Sequence, residues 1–389
     1  MIGIALAGYG TVGQGVMELF QKRRMSIQRR LGKEIDIRYI LVRDSGKKRD
    51  TDIYNAELIC DIRKILGDGD VQILIEATGD IDLGYTLIKE ALKKRKHVIT
   101  ANKAVLSLHL EELSALAQEY DVYLLYEASV GGGTPLIKPL QELSLHGEIR
   151  SLRGLLSGSC NYVLSKMRIE QIPYDDVLEE AKNLGYLEAD PIDDVGGFDT
   201  RRKLRILATL AFRGKIEEDD ISLEGITKIE QEDISRLFQM GYAVRLVAQA
   251  FKVNQSVQAT VHPMALPLPD FLRSVDKAEN GVEFMGDHFI KVCFQGSGSG
   301  RYPTAHAMLS DLEDILFSLR RKESPLGEEN LRIIPYQKEA RYYIRSKVPI
   351  ELTIEQHLEE NIWITARVAH NALMAALPDG AVAIAIGEV

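Results

Sequence analysis

The most constraining feature of the chain is a glycine-rich turn at its start. Gly8, Gly10 and Gly13 stand at the spacing GxGxxG, directly after an apolar stretch and before a helical pattern. Glycines at these positions allow a tight strand-to-helix turn and the close approach of the backbone to a pyrophosphate, which the helix N-terminus then binds. The motif alone is weak evidence. Its place at the first turn of the chain favours a dinucleotide site over a turn that serves only packing.

The first 125 residues alternate between short apolar runs and helical patterns. Alternating strands and helices indicate a parallel sheet covered on both faces. We therefore expect an α/β protein with an N-terminal, doubly wound parallel sheet of the Rossmann type. The sequence predicts strands over 2–7, 35–42, 71–77, 97–100 and 122–126, and helices over 14–31, 84–94 and 110–119.

The alternation stops after Glu127, and the glycine-rich turn 131–135 indicates the end of the first domain. The pattern beyond this turn is typical of a mixed α+β domain. Its predicted strands cover 150–156, 255–261 and 288–294, and its predicted helices cover 174–183 and 201–212. A further helix is expected over 304–320, then a charged linker over 321–330.

Composition excludes several classes of protein. The formal net charge is −9, which argues against a protein that coats nucleic acid by neutralising phosphates. The three cysteines are scattered, without a CxxC pair, and the histidines form no HExxH motif. We see no apolar run long enough to span a membrane and no signal-peptide pattern, so we expect a cytoplasmic protein that binds no membrane.

The end of the second predicted strand bears on the choice of cofactor. Arg43 can accommodate the 2′-phosphate of NADP, whereas an acidic residue at this place would bind the ribose hydroxyl of NAD. Because Arg43 comes first and further cations follow it, NADP is favoured. Asp44 makes NAD an alternative to NADP. These charged residues could also form a solvated loop with no role in cofactor choice.

The densest polar cluster covers residues 185–203, where five acidic residues precede a predicted helix. Asp199 and Lys203 are four residues apart and share a helix face if the helix has begun by Asp199. A partly buried lysine beside carboxylates suits proton transfer, although a capped acidic loop is the alternative. Lys103, at the end of the fourth strand, is placed to meet a ligand or, as for most such lysines, solvent. Cys160 is a candidate nucleophile or a buried, inert thiol.

Taken together, the motifs resemble homoserine dehydrogenase. They appear in one order over residues 3–320: GYGTVG, ATGD, TANKAVLS, YEASVGGGTPLI, LLSGSCNY, GYLEADPIDDVGGFDTRRKL and GSGSGRYPTAHAMLSDL. The resemblance implies NAD(P)-dependent interconversion of L-homoserine and L-aspartate 4-semialdehyde, in the pathway to threonine, methionine and isoleucine. It also implies a homodimer.

The resemblance further implies roles for single residues. Lys203 is similar to the family's general acid/base, and Lys103 to a second lysine that contacts substrate and nicotinamide. Asp199 and Glu188 are similar to the carboxylates that orient the substrate, and Asp194 to a support for the lysine. The remaining matches are Tyr186, Gly158 and Ser159 for the substrate pocket, Thr11, Val12, Thr78 and Gly300 beside Arg43 for the cofactor, and Glu127 with the carbonyls of Val130, Gly132 and Thr134 for a monovalent cation, sodium.

The expected domains are 1–134 for the dinucleotide, completed by the helix at 304–320, and 135–303 for substrate, catalysis and dimerisation. Residues 331–389 are expected to form a shortened appendage, a degenerate relative of the ACT regulatory domain of longer members, because no D-x-P-G turn follows the strand-like segment 341–348. Two other functions stay open. One is a semialdehyde dehydrogenase with Cys160 as nucleophile, and the other is a non-catalytic protein that responds to a dinucleotide.

Overall fold

The computed structural model describes residues 1–47, 52–187, 190–318, 325–327 and 331–387. The predicted linker over 321–330 lies mostly outside the described residues. Within them, the strands are β1 (Ile2–Ala7), β2 (Ile35–Leu41), β3 (Glu57–Ile59), β4 (Val71–Glu76), β5 (His97–Thr100), β6 (Leu124–Leu125), β7 (Ile149–Leu155), β8 (Ser222–Leu223), β9 (Ala243–Val253), β10 (Ser256–Leu266), β11 (Glu279–Gly286), β12 (Val292–Ser297), β13 (Arg332–Ile333), β14 (Glu339–Arg345), β15 (Ile354–Glu359), β16 (Ile362–Thr365), β17 (Val368–Ala369) and β18 (Val382–Ile386).

The helices of the described residues follow the same order along the chain. They are α1 (Thr11–Leu31), α2 (Ile62–Gly67), α3 (Ile81–Lys93), α4 (Lys103–Glu119), α5 (Ile137–Leu143), α6 (Gly158–Glu170), α7 (Tyr174–Asn183), α8 (Ile192–Val195), α9 (Phe198–Phe212), α10 (Gln231–Gln239), α11 (Arg301–Leu316) and α12 (His370–Ala376). None of them is both long and apolar enough to cross a membrane.

The chain divides into two compact units. One comprises Met1–Gln141, Arg213–Lys215 and Ser299–Glu328, and the other comprises Glu142–Phe212, Ile216–Gly298 and Glu329–Val389. The first unit contains a six-stranded parallel sheet in the order β3-β2-β1-β4-β5-β6. This is the strand order of a doubly wound dinucleotide-binding sheet, and it confirms the predicted fold class.

Helix α11 belongs to the first unit although it lies far along the chain. Its Ala305, Met308 and Leu312 share a buried apolar core with Val16 and Phe20 of α1. The two helices approach closely because α1 carries a glycine there: a Cβ on Gly15 would lie 2.8 Å from the Arg301 carbonyl oxygen. Helix α11 therefore completes the layer that covers one face of the parallel sheet.

The second unit contains a mixed sheet with the main path β12-β11-β7-β9-β10-β18-β14-β16-β15. Of its strands, the sequence predicted β7, β10 and β14 approximately and placed β12 too early over 288–294. It missed β9, β11, β15, β16 and β18. The tail joins this sheet, since β18 pairs in parallel with β10. Within the tail, β18, β14, β16 and β15 are antiparallel neighbours, and the described connection from β14 to β15 contains no helix.

Candidate functional site

The glycine-rich turn forms one end of a cavity in the first unit. Gly8 has a φ of +92°, and a Cβ on Gly13 would lie 2.1 Å from the Gly8 carbonyl oxygen, so the turn closes only with glycines there. Gly10 caps α1 without a side-chain hydrogen bond, and a Cβ on it would meet no atom within 4 Å. The turn thus leaves open space in front of the helix N-terminus, as a bound pyrophosphate requires.

The cavity has a volume of about 660 Å³ and lies at the carboxyl ends of β1, β2 and β4. In open α/β sheets this is the edge at which ligands bind. Five of the predicted cofactor residues line it: Gly8, Gly10, Thr11, Arg43 and Thr78.

Other predicted cofactor residues lie elsewhere. Val12 and Gly13 follow within α1, Lys103 is the partly buried first residue of α4, and Gly300 caps α11 with a φ of +118°. Sequence reasoning did not assign a role to Tyr9, Gln14, Cys60, Ile62 or Leu83, which also line the cavity. Cys60 and Ile62 come after the short strand β3, which the sequence pattern did not reveal.

A buried carboxylate organises the ends of β4 and β5. Glu76 is fully buried, and its Oε1 accepts hydrogen bonds from the Thr78 amide at 2.8 Å and from the Thr78 hydroxyl at 2.6 Å. Its Oε2 accepts the hydroxyl of Thr100, whose oxygen in turn accepts the Asn102 amide at 2.9 Å. Glu76 therefore fixes the loop that places Thr78 at the cavity. A signal for it existed in the sequence, since a glutamate is rare in an apolar strand.

In the second unit, helix α9 brings the predicted acid/base pair together. It begins at Phe198, so Asp199 and Lys203 share one face, and Lys203 Nζ lies 2.7 Å from Asp199 Oδ2. Lys203 Nζ also donates to the Leu156 carbonyl oxygen at 2.7 Å, directly after β7. Lys203 is 8% and Asp199 5% exposed. An ammonium held at a fixed point by a carboxylate and a carbonyl can exchange a proton with a ligand beside it.

Asn280 of β11 reaches the same carbonyl group and was missed by sequence reasoning. It is fully buried, and its Nδ2 lies 3.5 Å from the Leu156 oxygen that holds Lys203. A Cβ on Gly298 would lie 2.1 Å from Asn280 Oδ1, so the glycine lets the chain pass close to this amide directly after β12. The strand that carries Asn280 had no clear pattern in the sequence, and a single Asn gives no motif.

The first turn of α6 contacts the segment around Tyr186. Gly158 opens α6 close to the backbone of Ala278, from whose oxygen a Cβ would be 2.6 Å away. Ser159 Oγ donates to the Tyr186 carbonyl oxygen at 2.9 Å. Asp194 lies in α8, and its carbonyl oxygen accepts the Cys160 thiol at 3.1 Å. Glu188 lies outside the described residues.

Cys160 is buried at the base of this region. Its side chain is inaccessible to solvent, and burial raises the pKa of the thiol to about 12. A thiol in that state carries almost no thiolate at neutral pH, and the thiolate is the nucleophile. The geometry therefore favours the inert alternative for Cys160 and argues against a dehydrogenase that uses it covalently.

The predicted cation ligands lie in the first unit, in the turn between β6 and α5. Glu127 is buried, and burial raises the pKa of its carboxyl group while three amide hydrogen bonds oppose that shift. Oε1 accepts the amides of Leu136 at 2.6 Å and Ile137 at 3.0 Å, and Oε2 accepts the amide of Lys138 at 2.8 Å. The described residues contain no cluster of three His, Cys, Asp or Glu side chains suited to a metal.

The first unit has a doubly wound parallel sheet with a glycine-rich turn, and the second has a buried lysine bonded to a carboxylate and a carbonyl group. Together these features define a dinucleotide-dependent oxidoreductase. Comparison with known proteins narrows this class. Residues 8–127 match the family model of the homoserine dehydrogenase NAD-binding domain, and residues 135–312 match that of homoserine dehydrogenase. The chain belongs to the homoserine dehydrogenase family.

Curated relatives and solved structures agree with this assignment. The chain is 38% identical to the homoserine dehydrogenase of Synechocystis sp. over 80% of this chain and 73% of the relative, and 35% identical to that of Bacillus subtilis over 82% and 74%. A homoserine dehydrogenase from Thiobacillus denitrificans superimposes with a TM-score of 0.90 at 28% identity, covering 100% of this chain and 98% of that one. A hyperthermophilic archaeal homoserine dehydrogenase in complex with NADPH gives 0.69 at 26% identity over 83% and 99%.

Proposed function

We propose that the protein catalyses the NAD(P)-dependent interconversion of L-homoserine and L-aspartate 4-semialdehyde, within the biosynthesis of threonine, methionine and isoleucine. The observation that carries the proposal is the buried ammonium of Lys203, held between Asp199 Oδ2 and the Leu156 carbonyl oxygen. Family membership supports the choice of substrate and product. The position of Lys203 supports a general acid/base, which the interconversion of an alcohol and an aldehyde requires.

Oxidation of an alcohol requires a proton to leave oxygen as a hydride leaves carbon. The nicotinamide cofactor accepts that hydride when it is bound. In the oxidation direction the neutral amine of Lys203 takes the proton of the substrate hydroxyl, and in the reduction direction the resulting ammonium returns it. Asp199 and the Leu156 carbonyl group both hold Nζ, which restricts its position during proton transfer.

The substrate is an amino acid, so the pocket needs anionic groups for its ammonium. Glu188 and Asp199 are proposed for this role, with Asp194 as a support for the lysine. Tyr186, Gly158 and Ser159 are proposed as pocket walls, and the hydrogen bond from Ser159 to the Tyr186 carbonyl supports their grouping. Lys103 is proposed as the second active-site lysine.

The cavity residues fit a dinucleotide, because the space in front of Gly10 is open and the α1 N-terminus faces it. We propose NADP as the preferred cofactor and NAD as an alternative. Arg43 lines the cavity together with Lys47, and both can meet a 2′-phosphate. The archaeal relative in complex with NADPH supports the same choice.

We also propose a sodium ion at Glu127 with the carbonyl groups of Val130, Gly132 and Thr134. The residues fit such an ion. A carboxylate has about four acceptor positions, and three amides occupy both positions of Oε1 and one of Oε2. The remaining position on Oε2 is available to a cation. Gly131 and Gly132 have positive φ angles of 82° and 56°, which let the turn curve around the carboxylate.

Residues 1–134, with the helix at 304–320, are proposed to bind the dinucleotide, and residues 135–303 the substrate. We propose a homodimer in the cytoplasm, with a small molecule rather than nucleic acid or membrane as its partner. Family membership supports these assignments. The tail, 331–389, is proposed to be a degenerate ACT-like appendage, which its antiparallel order β18-β14-β16-β15 supports.

The test is the absorbance of the reduced nicotinamide with purified protein, L-homoserine and either NADP⁺ or NAD⁺, at a pH of about 9 to favour loss of the alcohol proton. Reduced cofactor should appear with homoserine and not with L-serine or L-threonine as controls. The ratio of the two rates gives the cofactor preference. Protein that binds NADPH yet shows no turnover would instead support the non-catalytic alternative.

A further inference from the structure

Asp80 occupies an unusual position beside the dinucleotide cavity, because its two carboxylate oxygens have different partners. It caps α3, and Oδ1 accepts the Leu83 amide at 3.0 Å. Oδ2 accepts Arg43 Nη2 at 2.7 Å. The Leu83 amide, and then the Arg43 guanidinium, hold the pKa of this carboxyl below its usual range, so it is ionised at neutral pH.

Arg43 is the cation on which preference for NADP would depend. It comes after β2 and lines the cavity. Its side chain is 80% exposed even with the ion pair to Asp80 in place. A guanidinium has five N–H donors, so Arg43 can bind Asp80 along one edge and a phosphate along another. The carboxylate and a phosphate would then lie roughly 6 Å apart, the width of a guanidinium with a hydrogen bond on either side.

We propose that Asp80 is a cofactor-selectivity residue that weakens the binding of a 2′-phosphorylated dinucleotide relative to its unphosphorylated form. This inference rests on the proposed dinucleotide function. A phosphate monoester carries about −1.5 to −2 charges at neutral pH, and Asp80 places a further negative charge beside it. The same carboxylate neutralises part of the charge of Arg43. The 2′-hydroxyl of NAD is uncharged, so neither the repulsion by Asp80 nor the reduced charge of Arg43 affects its binding much.

The size of the effect depends on the exposure of the three charged groups. At about 6 Å in a medium close to water, repulsion of this kind corresponds to about a fivefold change in affinity at low ionic strength. Added salt near 1 M shortens the screening length to about 3 Å and removes most of it. A selective and salt-sensitive change is therefore the expected signature.

The test is Asp80→Asn, because asparagine remains a good helix N-cap and only the charge is lost. Dissociation constants for NADP⁺ and NAD⁺ are measured by calorimetric titration without homoserine, at low and at high salt. The matched control is Asp82→Asn, which removes an exposed carboxylate from the first turn of the same helix. Asp80→Asn should tighten NADP⁺ about fivefold and leave NAD⁺ unchanged, and the gain should shrink at high salt. Asp82→Asn should change neither constant.

Other results contradict the inference. Weaker NADP⁺ binding by Asp80→Asn would show that Asp80 positions Arg43 for the phosphate instead. An equal change for both cofactors, or none, would show that the ion pair has no selective role. A wild-type protein that binds neither nucleotide refutes the proposed cofactor itself, and the inference falls with it. Because homoserine is absent, failure to turn over this substrate leaves the binding comparison intact.

Discussion

Replacing Lys203 by methionine separates the chemistry of the lysine from its structural role. The change removes the proton carrier and keeps much of the side-chain volume. It also leaves the Asp199 carboxylate, which is 5% exposed, without the ammonium that lies 2.7 Å from it. Breaking a buried pair by removing one partner typically costs about 3–5 kcal/mol, because the other charge stays buried and uncompensated. The single variant is therefore expected to lose both turnover and stability.

The double variant Asp199→Asn with Lys203→Met distinguishes these two losses. It removes both charges, so most of the lost unfolding free energy should return while turnover stays low. General acid/base groups contribute about 10²- to 10⁴-fold to rate, which corresponds to roughly 3–5 kcal/mol in the activation barrier. We expect kcat for homoserine to fall by at least 10²-fold in both variants.

Three measurements decide the outcome: homoserine-dependent reduction of NADP⁺, NADPH binding by fluorescence titration, and denaturant unfolding. NADPH binding should survive in the double variant, because Lys203 is not among the residues that line the cavity proposed for the dinucleotide. Near wild-type turnover in either variant would refute the acid/base assignment of Lys203. Low turnover with lost NADPH binding would mean that the substitution damaged more than the proton transfer.

The remaining predictions concern the glycine-rich turn, the Cys160 thiol and the partly buried carboxyl group of Glu224. Gly13→Ala should abolish the native turn because its Cβ would lie 2.1 Å from the Gly8 oxygen, whereas Gly10→Ala should fold normally and only weaken NADPH binding; circular dichroism and titration separate them. Cys160→Ala should keep at least half of the wild-type kcat, and wild-type turnover should resist thiol alkylation, because the thiol is buried with its pKa raised to about 12. Burial raises the pKa of Glu224 to about 7, so its protonated form favours folding below about pH 4 and this contribution is lost as the pH rises through 7. Glu224→Gln should therefore be more stable than wild type at pH 8 by up to roughly 3 kcal/mol, and the difference should vanish near pH 4 in denaturant unfolding.

The first sheet was predictable because its strands are buried on both faces and therefore form nearly continuous apolar runs. Ile2–Ala7 and His97–Thr100 have the predicted bounds. The helices begin earlier than their apolar periodicity indicated. Lys103, for example, opens α4, since Asn102 caps the helix and accepts the Val105 amide at 3.2 Å. Such caps depend on a single polar residue, which periodicity does not register.

The second sheet was harder to predict because most of its pairing is non-local. Strand β7 pairs with β9 and β11, which lie about 100 and 130 residues further along the chain. The tail shows the same difficulty. Residues 341–348 gave a recognisable strand pattern, but no local feature indicated that β18 would pair in parallel with Met264 and Ala265 of β10. Two parallel strands are not joined by a short turn of fixed length, so the sequence carries no local signal of such a pairing.

The candidate site shows where spacing within the sequence is informative and where it is not. Asp199 and Lys203 could be paired on the condition that the helix begins by Asp199, because residues four apart on a helix share one face; the helix was predicted from residue 201 and begins at Phe198. Leu156 and Asn280 could not, since a backbone carbonyl carries no residue signature and an isolated asparagine belongs to no motif. Asp80 lies between these cases. Its capping role follows from its place before α3. Its contact with Arg43 depends instead on the sheet: β2 and β4 lie on either side of β1, and the carboxyl ends of these parallel strands lie at the same edge. The cofactor selectivity that we propose at this edge therefore depends on residues that follow different strands. A sequence comparison limited to the loop after β2 would not identify Asp80.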